Sequence, residues 1–394
     1  MSSTSQESIC DTGELVKKPI RVLIFMADSQ PGGGMVHLLQ IARFLDRDAF
    51  HLEFALPASG PLPDSLRQMG EQIHVIDLRH RLDWSAIRNL SKLCREQDID
   101  ILNSHNVRAN IHARLAGRSA RVPVVVSTIH NSVFNYDVSP LLQHLYAATE
   151  RYTFRWCSQV IAVSEGIAHV LRQRYRLPPN RITVIPNGVD LEQLEPSTDR
   201  DSIRASFGLE PRSKAILQIG RLTPQKGFDV LLKALSLMKD THPEAVLLIV
   251  GDGPLRGELE SQARDLGVTG QTRFLGHQEG VADLLHAADI VTLASRSEGM
   301  PYTLLEAMAA GRAVVATSIP GIKEVVLDNE TALLVAPEDS RALASAVSSL
   351  LSDRTKTDSL GSAARNHIRE FHTSQIVVSQ LEDLYSRLMD RSGS

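Results

Sequence analysis

Ser295-Arg296-Ser297-Glu298-Gly299-Met300-Pro301-Tyr302-Thr303-Leu304-Leu305-Glu306-Ala307-Met308 reads as a turn that opens a helix. Pro301 suits the first helical position, where its missing N–H costs nothing. The N–H groups of Gly299 to Leu304 then form the positive mouth of that helix, which favours a phosphate. Glu298 stands just before the mouth, and Glu306 lies about one and a half turns inside it. Two carboxylates flanking a phosphate site suit the hydroxyl groups on either side of a diphosphate, those of a ribose and of a sugar. The stretch follows an apolar run, Ile290–Leu293, so the unit is strand, turn, helix.

The same alternation extends outward in both directions. Candidate strands in the first half are 21–26, 51–56, 72–76, 99–103, 122–128, 159–163 and 182–185. In the second half they are 215–219, 245–250, 272–275, 290–293, 313–316 and 332–335. Helical patterns such as 36–45 and 84–95 separate them. Alternation with β-branched strands predicts parallel sheets covered on both faces. About thirteen strands exceed one ordinary doubly wound sheet. The polar stretch Glu192–Asp201 marks the break. The fold class is therefore α/β, with two Rossmann-like domains, 19–192 and 202–372. Residues 1–18 read as a disordered tail. The helical stretch 373–394 is expected to pack on one domain or the other.

Bulk properties narrow the function. The chain has 394 residues, 43% hydrophobic and 22% charged, so it is globular. A net charge of −4 gives no bias towards nucleic acid. No apolar run approaches the ~18 residues of a membrane span, and the polar first residues lack a signal core. Cys10, Cys94 and Cys157 are too widely spaced for a disulfide framework or a zinc site. A cytoplasmic location is expected. No His, Cys or Asp spacing points to a metal site, and no cofactor is expected.

Ligands of open α/β sheets bind beyond the carboxyl ends of the strands. Gly32-Gly33-Gly34, Ser104-His105-Asn106, His130-Asn131, Gly220-Arg221 and Gly251-Asp252-Gly253-Pro254 all fall at such ends. With the domains face to face, these clusters converge on one cleft. Two rival motifs fail. A dinucleotide fingerprint starting at Gly251 breaks at Arg256, and a P-loop breaks because Gly227 and Phe228 follow Lys226.

Glu298-x7-Glu306, preceded by Gly220-Arg221-Leu222 and Lys226, resembles the retaining glycosyltransferases of family 4, which have the GT-B fold. Gly32-Gly33-Gly34, Pro186-Asn187-Gly188-Val189-Asp190 and Gly251-Asp252-Gly253-Pro254 add to the match. The motifs keep the family's order from about residue 22 to 325. There are two departures. Met300-Pro301 follow Glu-Gly where an aromatic residue and a glycine are common. The usual double glycine before a later glutamate reads Pro320-Gly321-Ile322-Lys323-Glu324.

The resemblance implies a retaining, metal-independent transfer of a sugar from a nucleotide diphosphate donor, most commonly a UDP-sugar. The implied acceptor is a glycan or polyprenyl-linked molecule held by the first domain. Arg221 and Lys226 would clamp the diphosphate, where charge develops as the glycosidic bond breaks; alone they would read as a surface Arg and Lys. Glu306 would accept from the ribose and Glu298 from the sugar, against a plain reading as acids at a helix N-terminus. The backbones of Gly299, Met300, Pro301, Thr303, Leu304 and Leu305 would line the phosphate site. Gly33 and Gly34 would admit a ligand close to the backbone, or serve only as a turn. His130 would reach the sugar near the reacting carbon. His105 and Asn106 are acceptor-side candidates. Asn187 reads first as a junction turn and second as a cleft residue. A nucleotide-sugar epimerase or hydrolase, or a non-catalytic nucleotide-sugar binder, are the alternatives.

From Arg108 to Arg181 the chain carries ten arginines against three acids, with Tyr152, Phe154 and Trp156 among them. Such a face either rests on an anionic membrane or is solvated surface.

Overall fold

The computed structural model describes residues 18–29, 32–80, 82–131, 140–278 and 280–392, with the side chains of 140 and 141 outside the description. The expected tail, 1–18, lies almost wholly outside the described residues.

Seven strands build the first sheet: β1 Ile20–Met26, β2 Phe50–Leu56, β3 Ile73–Val75, β4 Ile101–His105, β5 Val124–Ile129, β6 Gln159–Ala162 and β7 Ile182–Val184. Their order is β3-β2-β1-β4-β5-β6-β7. Six more build the second: β8 Lys214–Ile219, β9 Ala245–Val250, β10 Thr272–Gly276, β11 Ile290–Leu293, β12 Ala313–Thr317 and β13 Leu333–Val335. Their order, β10-β9-β8-β11-β12-β13, is that of a doubly wound nucleotide-binding sheet. Both sheets pair in parallel throughout. The near-continuous apolar strands explain this: Val22 to Phe25 and Leu247 to Ile249 are fully buried, as parallel strands covered by helices require. Every expected strand is present, within two residues at the start and end of each.

The sheets' switch points set the site. Between β1 and β4 the strand order reverses, and Met26 pairs with His105, which in turn pairs with Thr128. Between β8 and β11 it reverses again. These two strand ends face each other. One apolar cluster runs across the domains, from Ile129 and Val163 to Met300 and Ile322.

The helix Ser374–Ser392 returns to the first domain. Val377, Leu381, Leu384 and Leu388 join the core that contains Val22 and Leu38. The Tyr385 hydroxyl accepts from Asn103 Nδ2 at 2.7 Å. The return is fixed where Val189 N–H donates to His372 O (2.9 Å) and Ser374 N–H donates to Val189 O (3.0 Å). A stripe of apolar residues at helical spacing needs a groove, and the helix Gly33–Phe44 with β5 supplies it.

Among the described residues no helix is long and apolar enough to cross a membrane. The basic stretch does not form one face. Arg114 is fully buried, its Nε donating to Ser127 Oγ at 3.0 Å and its guanidinium 3.9 Å over the Phe154 ring. Arg181 donates to the carbonyls of Phe154 and Cys157, and Arg172 pairs with Glu165 at 3.1 Å. What remains together is Arg118 over Trp156 (4.8 Å) and Arg155 over Tyr152 (4.0 Å).

Candidate functional site

The helix behind the opening stretch runs from Tyr302 to Ala309. Pro301 is not its first residue but its N-cap, with φ −75° and ψ 126°, an extended conformation that its ring permits. This corrects the sequence expectation by one position. The Pro301 carbonyl accepts from Leu304 N–H (3.1 Å) and Leu305 N–H (3.4 Å). Those two groups are therefore engaged within the helix, and the expectation that both serve a phosphate is corrected. Tyr302 and Thr303 carry the first-turn N–H groups that no helix can satisfy internally.

Gly299 has a specific geometric reason. A Cβ built there would lie 2.2 Å from the carbonyl oxygen of His130, in the other domain. Asn187 adds a second bridge: its Nδ2 donates to Met300 O at 2.8 Å. The structure thus places Asn187 at the domain junction, as its first reading held. Gly33 faces the same helix, and a Cβ there would sit 3.0 Å from the Tyr302 ring.

Lys226 ends the short turn Pro224–Lys226 beyond β8. Its Nζ lies 2.6 Å from Glu298 Oε1, which also accepts from Ser295 Oγ at 2.7 Å. The two loops are stapled by Gln225, whose Nε2 donates to Ser297 O (2.7 Å) and whose O accepts from Arg296 N–H (2.8 Å). Arg221 is exposed at the rim and enters no ion pair among the described residues.

Glu306 projects from the second turn of the helix. No donor among the described residues reaches its carboxylate. Desolvation in the packed floor pushes its pKa up to about 7. Beside it, burial raises the Tyr302 phenol well above its ordinary range.

The first domain contributes three imidazoles. His130 Nε2 is 3.0 Å from His105 Nδ1, and His37 Nδ1 is 3.2 Å from the Tyr302 hydroxyl. One ring nitrogen from each of His37, His105 and His130 lies within 4.8 Å of the other two. Burial lowers all three pKa values, that of His130 to about 4, so the rings are neutral. Sequence spacing predicted no metal-ligating group. Tertiary structure nonetheless brings these three imidazoles together, two from the ends of β4 and β5 and one from the helix Gly33–Phe44. His37 itself escaped the sequence reading because it sits inside a helix. Asn106 is used locally: at φ 70° it caps the helix Val107–Ala120, its Oδ1 accepting from Ala109 N–H at 3.0 Å.

Two further residues were missed. Arg296 binds Asp229 through two nitrogens (both 2.9 Å) and pairs with Glu338, which fixes the loop carrying Glu298. Glu324 crosses the cleft, its carboxylate accepting from Glu165 N–H (2.5 Å) and Gly166 N–H (2.7 Å). Between the helices Glu165–Gln173 and Pro320–Lys323 and the Ser297-Glu298 turn lies a cavity of about 890 Å³, onto which Arg174 also opens. The arrangement offers cations at one strand end, carboxylates around a helix mouth and neutral imidazoles opposite. It can hold a polyol-linked diphosphate and stabilise its departure as a leaving group.

Comparison with known proteins gives a consistent result. The family model "Glycosyl transferases group 1" matches residues 199–367, and "Glycosyltransferase Family 4" matches residues 31–193. A D-inositol 3-phosphate glycosyltransferase of Corynebacterium aurimucosum is 30% identical, over 91% of this chain and 93% of its own. The UDP-Gal:alpha-D-GlcNAc-diphosphoundecaprenol alpha-1,3-galactosyltransferase of Escherichia coli is 27% identical, over 88% and 92% respectively. The crystal structure of Anabaena HepE in complex with UDP-glucose superposes with a TM-score of 0.83 at 23% identity, covering 93% of this chain and 100% of that one. The last likeness bears on the fold, two Rossmann-like domains in the GT-B arrangement.

Proposed function

The chain belongs to the group 1 glycosyl transferases of family 4 type, and within that family we propose that it moves a sugar from a UDP-sugar to a glycan or lipid-linked acceptor with retention at the anomeric carbon. The observation that carries the donor assignment is Glu306: a carboxylate on the cleft floor without a donor among the described residues, one helix turn behind the Tyr302 and Thr303 N–H groups. A ribose hydroxyl would satisfy the carboxylate while the diphosphate meets the helix mouth. The names of the E. coli and Anabaena relatives, which specify UDP-Gal and UDP-glucose, favour uridine over other bases.

In this reading Arg221 and Lys226 neutralise the charge that develops on the leaving diphosphate. Glu298 orients Lys226 and accepts from the sugar hydroxyls. His130, neutral and opposite Gly299, contacts the sugar near the reacting carbon. Because Glu298 is already paired with Lys226, it is a poor nucleophile, and same-face substitution is favoured over a two-carboxylate double displacement. The departing phosphate then takes the acceptor's proton. No metal is required, since lysine, arginine and backbone donors carry the charge. The acceptor enters between the Glu165–Gln173 helix and the Ser297-Glu298 turn.

The exposed Tyr152, with Arg155 and with Trp156 beneath Arg118, gives the first domain a cationic aromatic patch suited to an anionic membrane on the cytoplasmic side. A lipid-linked acceptor would be met there. A thermal-shift screen with UDP-, GDP- and ADP-sugars, followed by a transfer assay with the stabilising donor, tests the proposal. Stabilisation without transfer to any acceptor would replace it with the binder reading, turnover of the donor without acceptor would replace it with the hydrolase reading, and stabilisation by no nucleotide sugar would overturn it.

A further inference from the structure

We propose that His37, His105 and His130 form a binding site for one first-row divalent ion, Zn²⁺ being the best match, and that its occupancy excludes the donor sugar. The second clause rests on the glycosyltransferase reading; the first does not.

The donor set is three imidazoles, which suit zinc, copper and nickel rather than magnesium or calcium. One nitrogen of each ring lies within 4.8 Å of the other two, and the His105–His130 pair is already at 3.0 Å. Nitrogens about 2.0–2.1 Å from a tetrahedral zinc stand about 3.3–3.4 Å apart, so modest ring rotation completes the geometry. The ligands are carried by rigid elements. His105 ends β4, His130 follows β5 and His37 lies in the first helix after β1, three adjacent strands in register. Sites on such scaffolds hold their geometry better than sites on loops.

Two observations bear on the imidazole protons. His105 Nε2 is buried without a hydrogen-bond partner among the described residues, so it can carry the ring's proton when Nδ1 turns its lone pair to a metal. The His105–His130 hydrogen bond uses one proton between two nitrogens, so metal can replace that proton as the bridge. The Tyr302 hydroxyl, from the other domain, orients His37 at 3.2 Å as an outer partner. A metal here would therefore sense domain closure. It would also take the His130 ring away from the sugar, making the ion an antagonist of transfer rather than its cofactor.

The test uses tag-free, metal-stripped full-length protein titrated with Co²⁺. One equivalent should give the intense visible bands of a four-coordinate cobalt ion, and Zn²⁺ should bleach them. His105→Asn and His37→Asn should each weaken cobalt affinity by about 10-fold to 100-fold or more, judged against the known cost of disturbing imidazole ligation. UDP affinity and thermal melting confirm that each variant is folded. If His105→Asn does not fold, His37→Asn decides. Only pale six-coordinate spectra in the wild type, or unchanged bands in a folded variant, overturn the site. Intact UDP-sugar should remove the bands where UDP alone does not. Bands that persist with saturating donor overturn the exclusion, whereas cobalt binding without any donor binding overturns the glycosyltransferase reading and leaves the site standing.

Discussion

Lys226 Nζ and Glu298 Oε1 stand 2.6 Å apart, joining the end of β8 to the loop after β11. The cation assigned to the diphosphate and the carboxylate assigned to the sugar are thus one unit. In the proposed reading, Glu298 shields Lys226 until a phosphate oxygen competes for the ammonium. Lys226→Ala and Glu298→Ala should each lower turnover by about 10²-fold, because each removes or misplaces charge stabilisation of the leaving group. The double variant should fall well short of the product of the two. Initial rates for all three variants at saturating donor check this; full additivity would separate the pair.

Glu306 should couple nucleotide binding to pH. Its carboxyl is raised to about 7 by burial, and hydrogen bonds from a ribose favour the ionised form. Binding must then release a proton below that value, so affinity for UDP should rise as pH increases from about 5 to 7 and level off above. Glu306→Gln should flatten the profile. Calorimetry in buffers of different ionisation enthalpy should show about half a proton released near pH 7. Equal proton release in the variant would assign the effect elsewhere.

The approach of the two domains at Gly299 leaves no room for a side chain. Gly299→Ala places a methyl 2.2 Å from the His130 carbonyl, which must move. A displacement of about 1 Å at the reacting centre can cost about 10²-fold in rate. Transfer should drop accordingly while UDP binding survives, since the proposed ribose and phosphate contacts lie within the second domain. Small-angle scattering should report a more open particle.

Transfer should retain the donor's anomeric configuration and persist in excess EDTA. Proton NMR of the new linkage reads the first. For the second, chelator should leave the rate unchanged in metal-free protein and raise it in preparations carrying zinc. Loss of activity on chelation would contradict both the metal-free mechanism and the antagonism proposed for the histidine site.

Membrane binding should follow the aromatic patch and not the whole basic stretch. Replacing Arg118 and Arg155 with Ser should reduce flotation with phosphatidylglycerol vesicles, whereas Arg172→Ser should not, because that residue pairs with Glu165. The effect should weaken at about 0.15 M salt, where screening acts within ~8 Å. Equal flotation of wild type and double variant would leave these arginines as solvated surface.

By itself the sequence determined the strands and their division into two parallel sheets, and it marked the acidic and basic candidates around the helix mouth. These are local matters: buried parallel strands must be apolar runs, and helix starts need particular residues. It also placed His130 and Arg221 at strand ends, which the doubly wound rule directs to a cleft, with Lys226, Glu298 and Glu306 in the turns and helix that follow. Only the tertiary structure decided which of these groups meet. Packing put the last helix on the first domain, buried Arg114, spent Asn106 on a cap and paired Lys226 with Glu298. It also gathered His37, His105 and His130, which are distant in the chain and carry no shared spacing. Side-chain neighbourhoods across a sheet depend on strand order and register, and these are set by burial of the whole chain rather than by any local stretch.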